Sequence, residues 1–367
     1  MFAEPSAHAV PPASPPSNAA PRFYHPELDV LRACAFLLVF IAHTLGTGRG
    51  HWAPFFHGGI YGVDLFLALS AYLIAELLLR ERRSSGKIHV RDFYIRRALR
   101  IWPLYFVFLL IVRPLLAPWL THESFSKGYA ASYLFFGGNW ACAAWGWPLS
   151  IASSLWTVSI EEQFYIVCPL LLRWCGRHVV RLGVGMIVVS TMSQVWLVCI
   201  HAPGLAIYCN TFVRLESIAM GILLAAVLHG NSPRISTGLR WWMIAIGAMA
   251  MGILGRFGSH GGLPSLFTYP VAALASLLLL LGALRSSTDW HTNRLASIAI
   301  YLGRISYGLY VFHLAGLAIA TQLHFRRLHA VVGLLITIAI SIVSYHALEK
   351  PFLRLKRRFT IIPSSPA

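Results

Sequence analysis

The sequence predicts an all-α integral membrane protein, a bundle of about ten transmembrane helices with an interfacial or re-entrant segment on its outer side. Three observations carry this expectation. Of 367 residues, 57% are hydrophobic and only 12% charged, and the mean hydropathy is +0.64; a soluble domain needs roughly a quarter of its residues charged to cover its surface. Apolar runs of about 20 residues, enough to span a bilayer, recur along the chain. The basic residues, which give a net charge of +17, are parcelled into short segments between those runs. A nucleic-acid-binding chain would gather them into a patch or stripe, so no nucleic acid is expected as a partner; parcelled cations are the signature of membrane topology, with lipid as the partner.

Residues 1–26, MFAEPSAHAVPPASPPSNAAPRFYHP, are rich in Pro, Ala and Ser and hold no apolar stretch. They read as a disordered cytoplasmic tail and not as a cleavable signal, which would need a basic start followed by an apolar run. The expected spans fall near 28–46, 59–80, 98–119, 154–174, 179–200, 212–229, 240–257, 265–284, 297–320 and 330–348. Between the third and fourth lies GYAASYLFFGGNWACAAWGWPLS, within residues 120–153. It is too polar and too rich in Gly and Trp to span, yet apolar enough to lie in the interface or dip into the protein.

Orientation follows from Lys and Arg. The segments RERRSSGKIHVRDFYIRRALR and RWCGRHVVR, the stretches around Arg234, Arg240, Arg285 and Arg294, and the tail EKPFLRLKRRF fall on one side. Opposite them stand only Arg49, Lys127, Arg256, Arg326 and Arg327. The first set is therefore expected in the cytoplasm, with both chain termini and a short C-terminal tail over 359–367. No internal repeat supports a transporter built from two similar halves. The cysteines, Cys34, Cys142, Cys168, Cys175, Cys199 and Cys209, lack metal-type spacing and read as buried thiols, although Cys142 and Cys209 share the outer side, which leaves a bridge between them open. No metal site is expected.

Charges inside a bilayer are costly, which makes each a functional candidate. The first run carries Asp29, Arg32 and His43. Arg32 and His43 are eleven residues apart, about three helical turns plus 20°, so they face the same way with a rise of about 16 Å between them. In SLWTVSIEEQFYIVCPLLL, Glu161 and Glu162 sit inside an apolar span, and Ser154 lies two turns before Glu161 on its face. A helix-packing role with an arginine partner accounts for these acids almost as well. Arg214 and Glu216 point in nearly opposite directions, so each needs a partner on another helix. Tyr307, Tyr310 and His313 follow at three-residue spacing, which packing also explains, and Arg97 and Arg100 form an i, i+3 pair where the third span meets the cytoplasm. Snorkelling is the structural alternative for that pair.

These residues stand in motifs that resemble the membrane-bound acyltransferase-3 family. LDVLRACAFLLVFIAH holds Arg32 and His43 in the family's R-x10-H spacing. GVDLFLALSAYLI and FYIRRALRIWPLY follow, the latter with the R-x-x-R pair Arg97 and Arg100. SSLWTVSIEEQFYIVCPLL, VRLESIAMGILLA, GRISYGLYVFH and SYHALEKPFLRL complete the order, from about Glu27 to Arg358. The family O-acylates surface polysaccharides, lipooligosaccharides and some small metabolites. The resemblance implies a membrane acyltransferase domain over 27–358 in a bacterial inner membrane. It implies that His43 is catalytic, that Arg32 is needed with it, and that Arg97, Arg100, Ser154 and Glu161 are required. One departure is visible: Ala71 and Tyr72 replace the usual Gly-Phe pair, with consequences for close packing or substrate fit at that turn.

The expected reaction moves an acyl group, acetyl by family frequency, from cytoplasmic acyl-CoA to a hydroxyl of an extracytoplasmic saccharide or lipid-linked saccharide. Acetyl-CoA is then a donor substrate, and no permanently bound cofactor is expected. Arg32, Arg97 and Arg100 would neutralise the CoA phosphates. His43 would deprotonate the acceptor, Glu161 would orient the imidazole or hold the acceptor, and Ser154 would donate a hydrogen bond nearby. Trp156, Tyr307, Tyr310 and His313 are expected to contact the substrates. The rival expectation is a multi-helix transporter or flippase of a polar substrate, which buried charges equally permit.

Overall fold

The computed structural model describes residues 23–360 and 362, except 49, 121–122, 259, 285–293 and 325–327. Most of the expected N-terminal tail, Arg49, Arg285, Arg326, Arg327 and most of the expected C-terminal tail lie outside the described residues. Among those described, the fold is helical, apart from one isolated β-bridge between Ser124 and Leu149.

Helix α1, Pro26–Thr44, starts on a proline with Glu27 and Asp29 in its first turn. A missing N–H and two acids suit a helix N-terminus, where donors are unpaired and the dipole is positive. Helix α2, Gly62–Ser85, ends on Gly86 at φ 74°, a left-handed cap that a side chain would strain. Then follow α3, Val90–Val107; α4, Trp156–Cys175; α5, Val179–Cys199; and α6, Leu215–Leu228. The chain continues as α7, Thr237–Phe257; α8, Ser265–Ala283; α9, Arg294–Arg304; α10, Ser306–Gln322; and α11, His329–Ser344.

The expectation of about ten spans is not matched by ten long apolar helices. Seven described helices are long and apolar enough to cross a membrane, and eight if one bent pair counts as a single span. Helix α1 falls short because Glu27, Asp29 and Arg32 crowd its first turns. Helix α6 is short, 14 residues, and is enclosed by α2, α5 and α8. The run at 297–320 is not one straight helix: α9 and α10 meet at Ile305 with a bend of 78°. Helix α10 is buried over most of its length, with Leu309, Val311, His313 and Ala315 in the core, whereas only Ile300 and Gly303 of α9 are buried.

Local sequence explains how α1 sits among its neighbours. It packs on α2, α8, α9 and α10. A Cβ on Gly303 would collide with the backbone of Asp29, so glycine there lets α9 touch the start of α1. Gly221 of α6 likewise meets the backbone of Ala68 and Tyr72 and the Cβ of Ala71. The Ala71–Tyr72 departure therefore lies on a close helix contact that the opposing glycine keeps open.

The expected outer segment holds two short helices, Lys127–Leu134 and Gly138–Trp145. Hydrogen bonds from Tyr105 to the Tyr133 carbonyl, Tyr133 to the Ser153 carbonyl and Asn139 to the Cys209 carbonyl fasten them to the bundle. All six cysteines are free thiols; Cys142 and Cys209 are buried without a bridge, and Cys34 and Cys199 are exposed, which corrects the expectation of burial for those two.

The basic segments converge on one end of the bundle. Arg80 donates to the Gly230 carbonyl, Arg82 to that of Leu172 and Arg96 to that of Phe359. At the same end, α11 passes through a π-turn at Tyr345–Glu349 into a short helix, Lys350–Lys356, which packs against α3. π-Turns are uncommon and often mark functional sites. This one places Tyr345, His346 and Glu349 on the wall of a cavity.

Candidate active site

Two adjoining cavities occupy the basic half of the bundle. The wider, about 690 Å³, is lined by residues that include Asp29, Arg304, Tyr345, Glu349, Arg354 and Lys356. The narrower, about 80 Å³, is lined by Ser70, Thr157, Glu161, Tyr165, Ser306 and Tyr310 among others. Arg32, Leu73, Arg97, Arg100 and Tyr307 line both, so they form the throat where chamber becomes slot.

The throat gathers the three arginines singled out by the sequence. Arg32, on α1, bonds to Asp29 at 3.1 Å. Arg97, on α3, lies over the rings of Phe93 and Tyr165, at 5.4 and 5.6 Å, and its Nε is buried without a hydrogen-bond partner. Neither Arg97 nor Arg100 forms an ion pair with a carboxylate among the described residues. Unpaired guanidinium groups beside a cavity suit a phosphate-bearing ligand, since the guanidinium fork matches phosphate oxygens.

The slot brings together Glu161 and two residues the sequence reading missed. Tyr165 donates to Glu161 Oε2 at 2.7 Å, and Ser70 to Oε1 at 3.4 Å. Tyr165 lies one turn after Glu161 on α4, so helical spacing was the available signal. Ser70 sits inside the GVDLFLALSAYLI motif as a hydroxyl among apolar residues. Glu162 points elsewhere and accepts from Trp102 Nε1 at 3.0 Å. Tyr307 donates to the Ile101 carbonyl, which fixes it at the throat.

Tyr310 forms part of the slot wall. Its hydroxyl accepts from Thr157 at 2.8 Å and donates to the Ser154 carbonyl at 3.1 Å. The Tyr310 ring packs on His313 at 5.4 Å, and His313 packs on His43 at 5.1 Å and 72°. His43 lines neither of the two cavities. It reaches the slot wall only through the rings of His313 and Tyr310 and is exposed on the C-terminal turn of α1.

Both imidazoles are held in one tautomer by the backbone. His43 Nδ1 is 2.8 Å from the Val39 carbonyl and His313 Nδ1 is 2.6 Å from that of Tyr310. A carbonyl only accepts, so each neutral ring carries its proton on Nδ1 and its lone pair on Nε2. The Nε2 of His313 is buried with no partner. No hydrogen bond joins Glu161 to His43 among the described residues: Tyr165 and Ser70 donate to the Glu161 oxygens, and the Val39 carbonyl holds the ring. Ser154 is buried and its Oγ has no partner. It stands in the 3-10 turn that leads into α4, one turn beyond Thr157 at the slot end.

Trp156 is not in either cavity wall. It packs on Tyr208 and Trp147, at 5.0 and 5.8 Å, and under Arg214. Arg214 and Glu216 do find separate partners. Arg214 binds both oxygens of Asp64, at 2.9 and 2.8 Å, and Ser217 also donates to Asp64. Glu216 accepts from Thr191. No group of three or more His, Cys, Asp or Glu suited to a metal occurs among the described residues.

A family model described as an acyltransferase domain matches residues 25–346. Among curated proteins, a Bacillus subtilis protein provisionally named a peptidoglycan O-acetyltransferase is 28% identical, over 89% of this chain and 55% of its own length. A provisionally named O-acetyltransferase of Staphylococcus aureus is 26% identical, over 90% of this chain and 57% of its own. The peptidoglycan O-acetyltransferase OatA of Listeria monocytogenes is 28% identical, over 80% of this chain and 49% of its own. The chain thus spans about half the length of the curated relatives it matches. No solved structure matches it.

Proposed function

The chain belongs to the acyltransferase-3 family, and on that premise we propose that it moves an acetyl group from acetyl-CoA, across the bundle, to a hydroxyl of a cell-surface glycan of the peptidoglycan type. The observation that carries this reading is the shape and charge of the paired cavities: a wide chamber lined by cations narrows at Arg32, Arg97 and Arg100 into a slot aimed along the bundle. Coenzyme A has the matching form, with a bulky polyanionic nucleotide joined to a thin pantetheine arm.

In this reading the basic end faces the cytoplasm, as its cations favour, and the membrane is the bacterial inner membrane. The nucleotide stays in the chamber, Arg97 and Arg100 hold the diphosphate, and the arm enters the slot beside Glu161 and Tyr165. Its last step passes Tyr310, which gives way so that the thioester meets His43. The rise of about 16 Å from Arg32 to His43 along α1 is comparable to the extended arm.

His43 Nε2, the unprotonated nitrogen, accepts the proton of the acceptor hydroxyl as its oxygen attacks the thioester carbon. The C–S bond breaks, the thiolate takes that proton back from the imidazolium, and the products are an O-acetyl ester and free coenzyme A. His313, with its own Nε2 lone pair, holds a hydroxyl hydrogen at the acceptor side. Trp147, exposed beside the buried Trp156, offers an aromatic face suited to a sugar ring further out, and Trp156 supports it from beneath.

The test uses purified chain, labelled acetyl-CoA and a saccharide acceptor. Label appears in the acceptor with the unsubstituted chain and is lost with His43→Ala, while the amount of protein in the membrane is unchanged. Normal transfer by His43→Ala refutes the assignment. Mass spectrometry of surface glycans from cells with and without the gene identifies the acetylated sugar; unaltered glycans would remove the proposed acceptor.

A further inference from the structure

The wide chamber carries more positive charge than a diphosphate at its throat requires. Beyond Arg97 and Arg100, which line both cavities, Lys350, Arg354, Lys356 and Arg357 line the chamber alone. All four belong to the helical segment that follows the π-turn. That segment is fixed in place: Arg96 donates to the Phe359 carbonyl at 2.7 Å and to Glu81 at 3.0 Å.

Lys356 is the most telling of the four. It lies in electrostatic reach of Arg100, Arg97, Arg96 and Arg32, is only partly exposed, and has no carboxylate partner among the described residues. Like charges held together repel, and a bound anion with several charges removes that cost.

The covalent order of coenzyme A decides which anion. Reading from the thioester, the pantetheine arm comes first, then the diphosphate, then the ribose with its 3′-phosphate. Groups lining slot and chamber together face the first two. Groups lining the chamber alone face the nucleotide end.

We infer that Lys356, with Arg357 beside it, is a recognition site for the ribose 3′-phosphate of the donor, so that the last helical segment reads the nucleotide while Arg97 and Arg100 hold the diphosphate. This rests on the donor assignment made for the paired cavities. The 3′-phosphate is a monoester with nearly two negative charges at neutral pH, the densest charge on the molecule.

The experiment measures binding of coenzyme A and of 3′-dephospho-coenzyme A to the detergent-purified full chain by equilibrium dialysis. The unsubstituted chain binds coenzyme A about tenfold more tightly or better, as expected for a charged hydrogen-bonded contact. Lys356→Ala, and more so the pair Lys356→Ala with Arg357→Ala, brings the two ligands towards parity by weakening coenzyme A. The affinity for the dephospho compound moves by less than about threefold, because only a distant screened charge is lost. Lys356→Arg keeps the preference.

Equal affinity of the unsubstituted chain for the two compounds overturns the 3′-phosphate site whatever the variants do. So does an equal loss for both in Lys356→Ala, which would move the lysine to the diphosphate. Binding of neither compound would instead overturn the donor assignment, and the two failures are thereby told apart.

Discussion

His43 shows how much chemistry a single backbone contact decides. The carbonyl of Val39, one turn earlier, accepts the hydrogen bond of Nδ1–H and leaves Nε2 as the base without any carboxylate to orient it. The arginines at the throat act differently, through charge and fork geometry. Arg97→Ala and Arg100→Ala are expected to raise the KM for acetyl-CoA by about tenfold or more each, with kcat affected less, since a lost phosphate contact weakens ground and transition states alike. Arg→Lys at either position should recover only part of the loss, because an ammonium cannot bind phosphate bidentately. Steady-state kinetics with donor varied at fixed acceptor reads both numbers; an effect on acceptor KM alone would reverse the proposed polarity of the bundle.

At the scale of elements, close helix packing is what sets the slot beside α2. Gly221 lets α6 approach α2 at Ala68, Ala71 and Tyr72, so α6 backs the helix whose opposite face, with Phe66, Ser70 and Leu73, lines the slot. A Gly221→Val side chain has nowhere to go, because the nearest atoms are backbone. It should destabilise the chain by about 1–3 kcal/mol, the usual cost of overpacking a close-packed interior, read as a lower melting temperature in detergent and less protein in the membrane. Unchanged stability would mean that α6 does not sit against α2 as described. The Asp64–Arg214 pair belongs to the same contact between α2 and the start of α6, buried beneath Trp156, Tyr208 and Tyr269. It serves to hold these helices, and the slot wall does not include it.

For the whole molecule, the governing fact is polarity. One end gathers the basic loops and the chamber; the other holds the hairpin of residues 120–153, His43 and the aromatic group around Trp156. The proposed reaction needs these ends on opposite sides of the bilayer. Cysteine labelling with a membrane-impermeant maleimide checks this directly, with the unsubstituted chain as blank. Trp147→Cys, at an exposed position just after the second short helix, should react in intact spheroplasts, whereas Lys87→Cys, exposed between α2 and α3, should react only after permeabilisation. The opposite pattern would place the chamber outside and separate it from cytoplasmic acetyl-CoA.

The sequence by itself determined the solvent and the chemistry. Composition required lipid around the chain, helical spacing put Arg32 and His43 on one side of α1, and the motif order named the family, because these depend only on local periodicity and residue type. Its count of about ten spans is not confirmed by the seven or eight described helices that are long and apolar enough to cross a membrane, since an apolar run does not reveal whether protein or lipid surrounds it, as α6 illustrates, nor whether it bends, as at Ile305. The sequence left Glu161 either to orient His43 or to hold the acceptor, because the two residues belong to different helices and only packing decides which helices face each other. Ser70, Tyr165 and the cations after Glu349 became part of the site for the same reason. Contacts between elements distant in the chain are set by how side chains of many helices fill one volume, and that information is not held in any single segment.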